Sequence, residues 1–287
     1  MRKINDDRKG RGKELAAAVL KYVILISWAL TTIIPLLWVF VNSFKTSEEI
    51  VKNGVALPSA IQFNNYKTIM SYPDLSMSRA FLNSFIISGS VVVGVVLVAG
   101  LAAFALGRFR FQWTRYADAV LIACLLVPSF ATMIPNFVTI SKLPIRGTHA
   151  AAIIPQIAGN LCFSITLLTG FMRSLPDELD EAAIMDGATP IYVFSRITMP
   201  LSKPMFSTVG IMVFIWSYND LLTFMVYLSQ RSKQPVCVIL SMVSNMFGTD
   251  YGSMMAAIIV TIVPLLILYV ISQEQVIKGL TAGAVKG

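Results

Sequence analysis

Six apolar blocks, each about as long as a helix needs to cross a bilayer, constrain this chain more than any other feature. A hydrocarbon core takes about 20 helical residues at 1.5 Å per residue, and the blocks fall near residues 20–41, 81–104, 116–138, 149–170, 205–228 and 254–272. The chain is 56% hydrophobic and only 13% charged, where a soluble domain carries roughly 25% charged residues. The fold class is therefore all-α integral membrane, with six transmembrane helices.

The first block, YVILISWALTTIIPLLWVFV, follows Arg2, Lys3, Arg8, Lys9, Arg11 and Lys13 and begins beside Lys21. It exceeds the length of a signal-peptide core and is followed by NSFKTSEE, which offers no small-residue cleavage site, so it reads as an uncleaved span. With the N-terminus inside, segments 1–21, 104–115, 171–204 and 273–287 carry 15 Lys/Arg, against 8 in segments 42–80, 139–148 and 229–253. The excess predicts that both termini are cytoplasmic.

The formal charge of +8 has the same explanation. Its largest source is a basic tail facing anionic membrane lipids, and nucleic acid is excluded as a partner. Cys124, Cys162 and Cys237 show no metal-ligand or redox spacing, and His149 stands alone at the start of a span. No catalytic or metal-binding residue is expected.

The connections are uneven. Segment 42–80 is expected to be a long external region, with Pro58 and Pro73 as breakers and FNNY at 63–66, holding a short surface helix or a membrane-lying segment. FALGRFRFQWTR at 104–115 sets Arg108, Arg110 and Arg115 among aromatic rings, as an interface belt does. Pro35, Pro128, Pro135, Pro155, Gly159 and Pro264 are expected to kink spans. Ser84, Ser88, Gly94, Ala99, Gly100 and Ala103 give the second span a small-residue surface for close helix contact.

Charge inside the blocks is scarce. Asp118 lies near one end of the third, but Asp220 lies well inside the fifth, in WSYNDLL. Trp216, Tyr218, Asn219 and Asp220 offer a ring, a hydroxyl, an amide and a carboxylate, groups suited to a polyol. They are candidates for a substrate path or gate; a broken helix whose polar groups satisfy one another is the alternative reading.

LPDELDEAAIMDGATPIYVFSRITMP, residues 175–200, is the most heavily punctuated segment. Pro176 suits an early helical position, and Asp177 and Glu178 face the free amides of a first turn. Gly187 is expected as a left-handed terminator, with Thr189 capping a second helix and Pro190 in its first turn. The result is a cytoplasmic helix-turn-helix with an acidic first limb and an apolar second limb built on Ile191, Tyr192, Phe194 and Ile197. Such a connector meets a partner or the headgroup layer.

Glu181, Ala182, Ala183, Gly187, Ile197 and Pro200 stand at the spacing of the EAA signature, with Met199 in place of the usual Leu. On these residues, together with PLSKP, the YND stretch and the C-terminal GLTAGAVKG, the chain resembles the permease subunits of bacterial ABC importers, specifically the maltose-permease-like carbohydrate family. The resemblance implies the type I ABC importer permease fold: a tail at 1–20, a six-helix domain at 21–272, a coupling hairpin at 173–200 within it, and a C-terminal tail at 273–287. Both termini would lie on the cytoplasmic side of a bacterial plasma membrane.

It also implies partners: a homologous second permease subunit, a cytoplasmic ABC ATPase dimer that binds ATP and Mg²⁺, an extracytoplasmic solute-binding lipoprotein or periplasmic protein, and a sugar or oligosaccharide substrate. Coupling would run through Glu178, Glu181, Ala182, Ala183, Asp186, Gly187, Ile197 and Pro200, with Asp186 either touching the partner or capping locally. No phosphate-loop sequence GxxxxGK[ST] occurs, so no cofactor is expected on this chain. In maltose-type relatives the other subunit makes the sugar contacts, which would leave residues 216–220 as a gate or support. A permease for a non-sugar solute and an ion-coupled carrier are the alternative functions.

Overall fold

The structure is a computed structural model, and it describes residues 2–71, 76–109 and 111–284. Pro73 and Arg110 lie outside the described residues.

The described residues are helical in chain order: α1 Arg2–Asn42, α2 Ser47–Lys52, α3 Asn64–Ser71, α4 Met77–Arg108, α5 Thr114–Leu125, α6 Ser129–Ser141, α7 His149–Met172, α8 Glu178–Met185, α9 Pro190–Val193, a π-helical turn at Phe194–Thr198, α10 Met199–Leu201, α11 Lys203–Tyr218, α12 Leu221–Tyr227, a 3₁₀ turn at Arg231–Lys233, α13 Val236–Phe247 and α14 Tyr251–Ala284. Where one short helix was expected in 42–80, the described residues form two, α2 and α3, of which α3 holds most of FNNY. Helix begins at Arg2 and runs on to Ala284, so much of both terminal tails continues the adjoining spans.

Among the described residues, four stretches are long and apolar enough to cross a membrane unbroken: Glu14–Asn42, Met77–Arg108, His149–Met172 and Tyr251–Gln275. Two more are long and apolar enough only as bent pairs, which brings the number to six where each pair is one span. α5 and α6 meet at 96°, and Pro190–Leu201 meets α11 at 79°. The kink expected at Pro128 in block 116–138 is thus a sharp break, and block 205–228 is divided between α11 and α12. Pro128 removes an amide donor and forces Val127 out of the helical region, ending α5, whereas Pro35, Pro135, Pro155 and Pro264 stay inside helices. The fifth block stops at Tyr218 because Asp220 starts a new helix.

The chain divides into two compact units. In the unit formed by Met1–Ile69 and Val243–Val260, the end of α1 is a knot of polar contacts. Asn42 Nδ2 donates to the carbonyls of Trp38 and Gly54, and Asn65 Nδ2 donates to those of Ser43 and Lys45. Thr46 caps α2, and Asp250 caps α14 while accepting from Ser47 Oγ at 3.0 Å. Phe40, Phe44, Phe63 and Tyr66 pack ring on ring beside it.

In the unit formed by Met70–Met242 and Thr261–Gly287, α4 is the central helix. Ile87, Val91, Val95, Ala99 and Ala103 recur every four residues along α4 and are fully buried, the stripe that one helical face presents. α7 contributes Ala151, Ala152, Leu168 and Met172 to this core, and α11 contributes Met205, Phe206, Val209 and Val213. The small-residue surface of α4 is used within the chain: the Phe206 ring lies over Gly100 and Ile157 over Gly94, where a Cβ would collide. At the opposite end of α4, Asn83 Nδ2 donates to the carbonyls of Ser232 and Gln234, holding the 3₁₀ turn.

Candidate functional site

The segment between α7 and α11 is a hairpin whose turn follows from local sequence. Glu178, Asp180 and Glu181 occupy the first turn of α8, where carboxylates complement the exposed amides. Pro176 precedes the helix instead of entering it, and the Asp177 carbonyl accepts from the amides of Asp180 and Glu181. At the far end Gly187 has φ +83°. Its amide donates to the Ile184 carbonyl at 2.9 Å, and the Ala188 amide donates to that of Ala183 at 2.9 Å. This pair of bonds is a Schellman motif. Ala183 and Ala188, the two residues it ties together, both pack inward on the core, so the EAA–Gly spacing encodes a tight turn with a small apolar seam beneath it.

One residue later the chain is helical again. Thr189 Oγ1 accepts from the Tyr192 amide at 3.3 Å, and Pro190 is the first helical residue. The limb widens to a π turn at Phe194–Thr198, with the Met199 amide reaching back five residues to Phe194. The widening sits where the Pro200 ring, which lacks an amide hydrogen, would otherwise collide with the Arg196 carbonyl.

The hairpin has two faces. Inward, Val193 and Thr198 are buried, and the Phe194 ring packs on Phe104 of α4 at 5.3 Å. Outward stand Leu179, Ile184, Met185, Ile191 and Tyr192, with Met185 87% exposed. Of the candidate coupling residues, Glu178, Glu181, Ala182, Asp186, Gly187 and Pro200 are exposed and share this outer side with the apolar residues, whereas Ala183 and Ile197 are half-buried. Asp186 ends α8, and it is the backbone of Gly187 and Ala188 that closes the helix.

Arg108 is a residue the sequence reading misplaced. It was expected in an interface belt, yet its side chain is only 3% exposed. Nε donates to Asp180 at 2.5 Å, Nη1 lies 3.2 Å from Asp177 and donates to the carbonyls of Met172 and Leu175, and Nη2 donates to that of Pro176 at 2.8 Å. Arg173 answers from the other side, donating to the Leu106 carbonyl and pairing with Asp118 at 2.9 Å. Asp118 thus has a protein partner. Arg115 remains exposed, near the Trp113–Tyr116 ring pair.

The four residues of WSYNDLL do not converge. Trp216 and Asn219, three apart and therefore on one face, are exposed, and Trp216 meets Phe163 of α7 edge to face at 5.0 Å. Tyr218 is 2% exposed, stacks on Phe214 and directs its hydroxyl to the Thr261 carbonyl, which makes it a core residue. Asp220 accepts from the Thr223 amide at 3.2 Å and so caps α12. The polar partner that periodicity missed is Gln156 of α7, buried and bonded to Ser217 Oγ at 2.5 Å. A cap needs an acceptor oxygen, not a charge: Asp220→Asn is expected to transport like the parent, while Asp220→Ala loses about 1 kcal/mol of helix stability. A severe transport defect in Asp220→Asn, measured in proteoliposomes, would return the carboxylate to the substrate path.

Residues 96–281 match the family described as binding-protein-dependent transport system inner membrane component. The chain is 34% identical to the trehalose transport system permease protein of Mycobacterium tuberculosis over 89% of its length and 93% of the relative. It is 31% identical to the diacetylchitobiose uptake system permease protein of Streptomyces coelicolor, over 93% of its length and 88% of the relative. Among solved structures, it superposes on a chain of a bacterial ABC transporter involved in the import of the acidic polysaccharide alginate, with a TM-score of 0.79 at 22% identity, covering 90% of this chain and 95% of that one.

Proposed function

The chain belongs to the family of binding-protein-dependent transport system inner membrane components, and from that premise we propose that it carries a sugar or oligosaccharide into the cell, powered by ATPases docked on residues 173–200. It has the fold of a type I ABC importer permease and is a non-catalytic membrane subunit. The observation that carries the docking assignment is the outer face of the hairpin. Leu179, Ile184, Met185, Ile191 and Tyr192 are exposed beside Glu178, Glu181 and Asp186, on a turn pinned by Gly187. Large apolar side chains held out from a rigid turn and rimmed by carboxylates suit a protein cleft better than water.

The orientation follows from charge. The Lys/Arg excess in the segments that include 171–204 supports a cytoplasmic hairpin and cytoplasmic termini, under the positive-inside rule. ATP and Mg²⁺ are assigned to the partner ATPases, since the sequence lacks a phosphate loop. A homologous permease completes the membrane portion, and an extracytoplasmic binding protein delivers the solute. Closure of the ATPases would move the hairpin, and with it the ends of α7 and α11 that flank it, as one body that opens the bundle outward.

The relatives named for trehalose and diacetylchitobiose support a sugar as the substrate. Trp216 and Asn219 are the exposed polar and aromatic groups of the WSYND segment, able to stack on a sugar face and bond its hydroxyls, in the role of a gate.

The test is reconstitution of the full complex in proteoliposomes. ATP hydrolysis is expected to rise when the binding protein is added together with a disaccharide from a panel of α- and β-linked glucosides and N-acetylglucosaminides. It is expected to stay flat with amino acids. Stimulation by amino acids alone would overturn the substrate class, and uptake by this chain alone under an ion gradient would overturn the importer reading.

A further inference from the structure

Arg108 is a helix-terminal residue at the membrane border, where an arginine ordinarily extends to water or headgroups. Here it is withdrawn. Its side chain is only 3% exposed, and its guanidinium meets three backbone carbonyls and two carboxylates of residues 172–180, those of Met172, Leu175 and Pro176 and of Asp177 and Asp180. The carbonyls belong to the last turn of α7 and to the linker, where the α-helical ladder ends; that of Met172 also accepts from the Leu175 amide. The carboxylates head α8. One planar group therefore ties the end of α7, the linker and the first limb of the hairpin to the end of α4.

The second limb is tied to the same helix by other means. Phe194 packs on Phe104 and also reaches Gly100, which Phe206, just beyond the 79° bend, lies over. Three successive turns of α4 thus receive the hairpin: Gly100 and Phe104 by apolar contact with the second limb, and Arg108 by charge-assisted bonds with the first. The apolar contacts are non-directional and allow sliding. A guanidinium with its donors in a fixed fork does not.

We propose that Arg108 is the positioning residue that makes the docking hairpin and α4 a single mechanical body, so that displacement of α8 by a partner is delivered to α4 without loss. This rests on the hairpin being the ATPase docking element. Lysine retains the charge but has one nitrogen and no plane, and it cannot hold both carboxylates and three carbonyls at once. Arg108→Lys is expected to insert and to copurify with the ATPases, because the outer face of the hairpin is untouched. It is expected to lower transport per ATP hydrolysed by about tenfold, inside the ~5–150-fold range of ordinary coupling free energies.

A distance measurement separates positioning from simple stabilisation. Spin labels at Met185→Cys on the exposed tip and Leu101→Cys on the exposed face of α4, with Cys124, Cys162 and Cys237 replaced, report the two ends of the proposed body. In the parent the distance distribution is expected to be narrow and unchanged between nucleotide-free and ATP-bound complexes; in Arg108→Lys it is expected to broaden in both. If Arg108→Lys does not insert, Asp180→Ala removes the more buried of the two carboxylates and is expected to broaden the distribution likewise. A narrow distribution in whichever variant inserts, or a distance in the parent that changes with ATP, overturns the latch. The docking assignment fails separately, if the Met185→Cys label is as mobile in the assembled complex as in the chain without ATPases.

Discussion

Gly187→Val is expected to uncouple ATP hydrolysis from transport while leaving the protein inserted in the membrane. Nothing lies within 4 Å of where a Cβ at Gly187 would stand, so the defect is not one of space. It comes from φ +83°, a region in which a β-branched side chain collides with its own backbone at a cost of about 1–3 kcal/mol. The turn can escape only by returning φ to negative values, which breaks the bonds from Gly187 to Ile184 and from Ala188 to Ala183 and swings the second limb away from the first. The outer face then no longer presents Met185 and Ile191 together. Transport per ATP in vesicles is expected to fall by at least about tenfold, a modest coupling free energy by the usual scale. Gly187→Asn, which tolerates the left-handed region, is expected to recover most of it. Normal coupling in Gly187→Val would mean that the turn is not part of the transmission.

Gly252→Val is expected to produce the largest loss of stability, for the opposite reason. A Cβ there would lie 2.6 Å from the Lys45 carbonyl oxygen and 2.7 Å from Asn65 Nδ2. Neither atom can yield readily. The first is backbone, and the second is held by its bonds to the carbonyls of Ser43 and Lys45, at 2.8 and 2.9 Å. Overpacking of this kind costs ~1–3 kcal/mol and sometimes more, and it strikes where Asp250 caps α14 and accepts from Ser47. The thermal midpoint of the purified protein in detergent is expected to drop clearly, with a smaller yield of inserted protein. An unchanged midpoint would show that the start of α14 does not press on residues 45 and 65.

These two glycines also mark what the sequence made legible. Gly187 stood between a small-residue helix and a Thr-Pro start, signals that act within a few residues, so the turn, its left-handed residue and the Thr189 cap could be read locally. Gly252 had no such neighbours, because its constraint comes from residues 45 and 65, some 200 positions away in the chain. Span centres were legible because hydropathy is additive along a helix, and so was a kink at Pro128, but its size, 96°, was not. A proline in an apolar run reads the same whether the helix absorbs it, as at Pro155, or ends, as at Pro128. Arg108 was misread for a related reason. Basic residues among aromatic rings look alike whether they reach lipid or, as here, carbonyls contributed by another segment. In WSYNDLL the residue types were those of a sugar site, but helix phase divides them between an exposed face and the core, and Asp220 is occupied by its own helix.

The π turn at Phe194–Thr198 acts as a phase correction. Each α-helical residue advances the chain by about 100° around the axis, and a turn closed over five residues instead of four holds that advance back by roughly one residue's worth. Without it, the inward side set by Val193 and Phe194 would have precessed away by Thr198, Met199 and Ser202, and these would point outward. With it, Val193, Thr198 and Ser202 are all buried, and Ile191, Tyr192 and Pro200 stay on the outside. A single surplus residue thus keeps one side of the limb turned to the bundle from Thr189 to the bend, so that the surface offered to a partner is a continuous strip instead of a spiral.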